Sequence, residues 1–95
     1  MKNRTVILGA GESGTGAAIL AKKLGHETFV SDFGSIKESF ASELNDHEIS
    51  FEQGTHTEDL ILNAHTIIVS PGVPPTAPIL QTATEKGIEQ ISEIE

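Results

Sequence analysis

Ninety-five residues are enough for one domain, and a chain this short buries only roughly 60–65% of its unfolded surface, so one small core is expected. With 14 acidic against 6 basic residues and a formal charge of −8, it lacks the clustered Lys and Arg on which nucleic-acid binding depends. There is no Cys for a disulfide or thiolate metal site, no apolar stretch near the roughly 18 residues that cross a bilayer, and no signal-peptide pattern at Met1-Lys2-Asn3-Arg4, so a soluble, cytoplasmic protein is expected.

Strand and helix signals alternate along the chain. Residues 5–8 form an apolar run suited to a central parallel strand covered on both faces. Gly9-Ala10-Gly11-Glu12-Ser13-Gly14 follows, a G-x-G-x-x-G turn, and residues 15–24 place Ile19, Leu20 and Leu24 at helical spacing before Gly25. A second strand over 28–31 ends at Asp32. Ser35 is expected to cap a helix through Leu44 that presents Ile36, Phe40 and Leu44 on one face. A short strand over 49–51, a helical turn over 58–63, a buried strand over 66–69, a helix over 78–86 closed by Gly87 and a strand over 88–91 complete the order. This βαβαβαβαβ pattern predicts an α/β fold: a Rossmann-like three-layer domain with a five-stranded parallel sheet and right-handed crossovers.

Sheets of this kind bind ligands outside the carboxyl ends of their strands. Three loops fall there, residues 9–16, 32–35 and 70–76. In the first, glycines permit positive φ and close approach to a phosphate, and the next helix offers unpaired N–H groups at its positive end. Asp32 arrives about twenty residues later, where a ribose hydroxyl would be read. In the third, Ser70-Pro71-Gly72-Val73-Pro74-Pro75 makes a stiff wall, with the Ser70 hydroxyl and the Gly72 N–H expected to face the ligand. None of the six basic residues lies in a glycine-rich turn, so any phosphate must rely on backbone N–H groups and hydroxyls.

The glycine turn, Asp32, Ser70-Pro71-Gly72-Val73 and the closing Gly87-Ile88…Ile91-Ser92-Glu93-Ile94-Glu95 together resemble the N-terminal domain of the Mur ligases, most closely the D-glutamate-adding, MurD type. The resemblance spans essentially the whole chain. It implies a domain that holds the UDP part of UDP-N-acetylmuramoyl-L-alanine. Gly11, Glu12, Ser13 and Gly14 match the pyrophosphate turn. Asp32, Phe33 and Gly34 match a wall around the uridine, and Ser70, Pro71 and Gly72 match a loop lining its other side. Two departures stand out: Glu12 puts a carboxylate beside the phosphate position unless it turns outward, and Phe33-Gly34 lacks the basic side chain some relatives carry.

The resemblance also implies an ATP-dependent ligase in peptidoglycan precursor synthesis, with ATP and Mg²⁺ serving the full-length enzyme. No Gly-Lys-Thr or Gly-Lys-Ser loop occurs here. The expectation is therefore a single-domain fragment, without the central and C-terminal domains that would be its partners, holding no cofactor and no catalytic residue. His26, His47, His56 and His65 are scattered and suggest no metal site; Ser13 suits a phosphate donor better than a nucleophile. The alternative is an NAD-type dinucleotide-binding domain of an oxidoreductase or ligand sensor, with Asp32 on the adenosine ribose. Asp32→Ala is expected to weaken uridine binding with little change in fold.

Overall fold

The computed structural model describes residues 3–74 and 76–92, which form β1 (Arg4–Leu8), α1 (Glu12–Lys23), β2 (Glu27–Asp32), α2 (Glu38–Asp46), β3 (Ser50–Gln53), α3 (Glu58–Ile61), β4 (Thr66–Val69), α4 (Pro78–Glu85) and β5 (Glu89–Ser92). The strands make one parallel sheet in the order β3-β2-β1-β4-β5. Strand order reverses at β1, because β2 and β4 pair on either side of it. The register sets Glu52, Ser31, Leu8, Val69 and Ser92 abreast in a row across the sheet. The loops after β1, β2 and β4 therefore emerge side by side at the switch point.

The period of two along β1 divides the core. Val6 and Leu8 point to the face covered by α3 and α4, where Ile61, Ile67, Ile79 and Leu80 pack with them. Ile7 points to the other face and meets Ala18 of α1, Leu44 of α2 and Val30 of β2. Ile7, Leu44 and Ile61 are completely buried; each such side chain contributes about 1.5–3 kcal/mol relative to remaining in water. At the amino end of the sheet, away from these loops, Arg4 pairs with Glu27 at 3.1 Å, donates to the Leu60 carbonyl and lies over the Phe29 ring.

All nine predicted elements occur, with shifted ends. α1 begins at Glu12, three residues before the expected start at Thr15, so Gly14 and Gly16 lie inside the helix and the turn is only Gly9–Gly11 long. α2 starts at Glu38 rather than after Ser35. The buried Ile36 explains the delay, because its N–H donates to Gln53 Oε1 at 2.8 Å and holds residues 35–37 outside the helix. β3 runs to Gln53 and β5 to Ser92, each displaced one or two residues from the expected span, and α3 stops at Ile61. Pro75 and the closing Glu93-Ile94-Glu95 lie outside the described residues. Among the described residues no helix is long and apolar enough to cross a membrane.

Candidate functional site

Gly9 leaves β1 with φ +92, a conformation that other residues rarely adopt, and its N–H donates to the Ser31 carbonyl at 2.8 Å. Ala10 N–H donates to Asp32 Oδ2 at 2.9 Å. Gly11 then caps α1 without any side-chain hydrogen bond, so the first-turn N–H groups have no intrahelical partner and present the positive end of the dipole to the cleft. Gly14 packs as the third glycine of such a turn does. A Cβ there would run into the Gly9 carbonyl and lie 2.7 Å from Ser70 Oγ. Its lack of a side chain allows α1 to sit against the ends of β1 and β4. At Gly11 and Gly72 a Cβ would meet nothing within 4 Å, so a side chain there would project into the cleft.

Two expected ligand contacts are turned inward. The Ser70 hydroxyl, buried at 6% exposure, donates to the Gly9 carbonyl at 2.9 Å, fastening the loop after β4 to the turn after β1; its proton does not face the cleft. Asp32 accepts from Ala10 N–H through Oδ2 and from Gly34 N–H at 2.8 Å through Oδ1. Each oxygen retains a lone pair, so the carboxylate organises two loops and can still accept from a ligand hydroxyl. Glu12 is exposed in the first turn of α1, where its charge is favourable to the helix dipole.

The cleft has two adjoining compartments. The smaller, about 340 Å³, is lined by the turn from Gly9 to Gly14 and by Asp32, Ser70, Pro71 and Gly72. The larger, about 650 Å³, continues from it past Gly9, Asp32, Gly72 and Val73, and is walled by Phe33, Gly34, His56, Pro74, Ala77 and Ile79. All ten residues singled out in the sequence line one compartment or the other. Among the described residues no Lys or Arg lines either, whereas Glu12, Asp32 and Glu58 do. The Phe33 ring stands 71% exposed at the wall of the larger compartment.

His56 was the missed residue. It follows the end of β3, and its ring lies 5.5 Å from that of Phe33, tilted by 46°. Its Nδ1 is 2.7 Å from the completely buried Ser31 Oγ, and Ser31 also lies 2.8 Å from Glu52 Oε2 and 3.2 Å from the Thr55 carbonyl. Glu52 in turn accepts from the Thr57 N–H at 2.8 Å and hydroxyl at 2.6 Å. Burial raises the Glu52 pKa, but the bonds from Thr57 and Ser31 and the nearby His56 outweigh it, holding the carboxyl below its usual range. Burial also lowers the His56 pKa, against the opposing pull of Glu52 and Asp32. Ser31 is inaccessible and gives its proton to an acceptor inside this network, so the cluster is a support for the cleft rather than a nucleophile and base.

Residues 3–92 match the family described as Mur ligase MurD-like, N-terminal domain. The chain belongs to that family. It is 54% identical over 95 residues to the UDP-N-acetylmuramoylalanine–D-glutamate ligase of Cytophaga hutchinsonii, covering 100% of this chain and 21% of the relative. It is 55% identical over 92 residues to the enzyme of the same name from Bacteroides thetaiotaomicron, covering 97% and 21%. The chain thus spans about a fifth of the length of these relatives. Among solved structures, the UDP-N-acetylmuramate:L-alanyl-γ-D-glutamyl-meso-diaminopimelate ligase from Neisseria meningitides superposes with a TM-score of 0.80 at 19% identity, over 97% of this chain and 29% of that one. UDP-N-acetylmuramate-alanine ligase MurC from Thermotoga maritima gives 0.78 at 18% identity, over 94% and 20%. At such identities these two likenesses establish the shared fold.

Within this MurD-like domain, one sequence signal could have found His56. Loops after parallel strands gather at the carboxyl edge, and His56 lies three residues beyond β3, as Phe33 lies one beyond β2.

Proposed function

We propose that this chain binds the UDP moiety of UDP-N-acetylmuramoyl-L-alanine, as the N-terminal domain of the ATP-dependent ligase that adds D-glutamate in cytoplasmic peptidoglycan precursor synthesis. The observation that carries the reading is the two-compartment cleft at the switch point. A small compartment bordered by the first-turn N–H groups of α1 suits a pyrophosphate, and it opens directly into a larger, mainly apolar one with an exposed aromatic wall, which suits a nucleoside. The family match and the relatives' names support the uridine substrate over other nucleotides.

On this proposal the domain binds, and the chemistry belongs to the central and C-terminal domains of the whole enzyme. ATP and Mg²⁺ are assigned on this proposal to the rest of the whole enzyme, since the glycine turn contains no lysine to hold a nucleotide's terminal phosphates. Amide resonances of a ¹⁵N-labelled chain, followed during titration, test the reading. UMP and UDP should shift Gly11 to Gly14, Asp32, Phe33 and Gly72, and NAD and ATP should not. Shifts of those residues with NAD alone would overturn it in favour of a dinucleotide-binding domain.

A further inference from the structure

The hydrogen bonds around Ser31 fix which nitrogen of His56 carries the proton. A serine hydroxyl has one proton to give, while carboxylate and carbonyl oxygens only accept. Ser31 Oγ lies 2.8 Å from Glu52 Oε2 and 3.2 Å from the Thr55 carbonyl, so its proton goes to one of these acceptors. The 2.7 Å contact with His56 Nδ1 then has to be donated by the imidazole. In the neutral ring Nδ1 carries the hydrogen and Nε2 carries a bare lone pair. Burial, which lowers the His56 pKa, favours this neutral form near pH 7. Nδ1 faces the buried serine, whereas Nε2, on the far edge of the ring, has no partner among the described residues, and His56 lines the larger compartment beside Phe33.

Resting on the uridine reading above, we infer that His56 Nε2 selects the base by accepting a hydrogen bond from the uracil N3–H, and so rejects cytosine. Uracil offers a ring N–H at position 3, while cytosine offers a lone pair there. Set against Nε2, the first makes a hydrogen bond and the second brings two lone pairs together in a partly desolvated pocket. Sites that satisfy a ligand N–H discriminate strongly against analogues lacking it, because their own polar group is left unpaired. Ser31 and Glu52 act as positioning residues: they hold the tautomer, and the Phe33 ring limits the swing of the imidazole.

Titration calorimetry or amide shifts with UMP, CMP and N3-methyl-UMP provide the test. The chain should bind UMP about tenfold or more tightly than either analogue, the ratio that one stranded hydrogen bond gives. His56→Phe keeps an aromatic ring beside Phe33 and removes the acceptor; it should bring UMP down to the level of CMP and leave CMP within about twofold. Equal binding of UMP and CMP by the unaltered chain, or a preference for UMP surviving His56→Phe, overturns the inference while leaving the uridine reading intact. Loss of all UMP and UDP binding, with NAD bound instead, overturns both. If His56→Phe does not fold, the ring ¹⁵N spectrum of the unaltered chain decides. Hydrogen on Nδ1, with the Nε2 signal moving on addition of UMP, supports the inference; hydrogen on Nε2 in the neutral ring overturns it.

Discussion

The Ser70 hydroxyl donates to the Gly9 carbonyl at 2.9 Å, and that same carbonyl is the atom a side chain at position 14 would strike. Gly9, Gly14 and the distant Ser70 thus meet at one backbone oxygen where strand order reverses. Gly14→Ala should force α1 away from the sheet and cost about 1–3 kcal/mol, the usual range for overpacking, with a lower Tm and weaker UMP binding together. Ser70→Ala should leave a buried carbonyl short of its donor and cost about 1–3 kcal/mol. A Ser70→Ala chain that melts like the parent but no longer binds UMP would show that the hydroxyl serves the ligand after all.

Asp32 also joins two loops, and this revises the sequence-based expectation that its removal would spare the fold. Asp32→Ala strands the Ala10 and Gly34 N–H groups, so it should lower Tm as well as affinity, by about 1–3 kcal/mol in stability. Asp32→Asn keeps one acceptor oxygen and should lie between. Thermal melts and UMP titrations of the two variants check this. Unchanged melting in Asp32→Ala, with binding lost, would restore the carboxylate to a role confined to the ligand.

The layering was legible in the sequence because apolar runs and glycine stops report burial and chain reversal directly. Gly25 and Gly87, with their positive φ, follow from such local signals; the glycine turn, Asp32, Ser70 and Gly72 also stand on them, whereas Phe33 and Gly34 rest on the resemblance to the Mur ligases and the sheet order on neither. α1 starts earlier than the glycine turn suggests because Gly14 lies inside it; a helix accepts glycine where close packing, here against the Gly9 carbonyl, outweighs its poor propensity. Side-chain direction was beyond reach. Nothing local to Ser70 says that its hydroxyl turns toward Gly9, and nothing local to His56 says that its Nδ1 meets a serine in another strand. Those facts depend on pairing across 61 and 25 residues.

Phe33 stands 71% exposed on the wall of the larger compartment, where its ring is open to stacking by a flat ligand and takes little part in the core. Phe33→Ala should therefore leave the melting temperature almost unchanged and weaken UMP and uridine alike, by about 1–3 kcal/mol if a base stacks on the ring. Loss of stability with undiminished binding would make the ring part of the core instead.

The absence of Lys and Arg from the cleft's described lining has a consequence for the ligand's own charge. The helix N-terminus contributes about 0.3–1 kcal/mol toward an anion, and Glu12, Asp32 and Glu58 oppose it. UDP should bind this chain no more than about fivefold tighter than uridine, and the difference should shrink further as salt is raised. Calorimetry with uridine, UMP and UDP at two salt concentrations measures it. A preference for UDP far above that, falling steeply with salt, would mean that a cation reaches the pyrophosphate.

Glu52 and His56 make the stability of the domain depend on pH, and both act in the same direction. The folded His56 pKa lies below its ordinary 6.5, so on acidification the unfolded chain takes up this proton first. Stability is complete above 6.5 and falls as pH drops from there through the folded value. The folded Glu52 pKa lies below its ordinary 4.5, so its contribution is present above 4.5 and is lost as pH falls from there toward the folded value. Melting temperatures measured from pH 8 to pH 3 should accordingly decline in two stages. His56→Phe should flatten the stage just below pH 6.5 and reduce the one below 4.5, because His56 helps to hold the Glu52 pKa down; Glu52→Gln should remove the stage below 4.5 and enlarge the upper one, because it removes the charge that opposes the lowering at His56. If His56→Phe left the upper stage unchanged, a different group would be responsible for it. The hydrogen-bonded cluster after β3 would then not be what ties the cleft to pH.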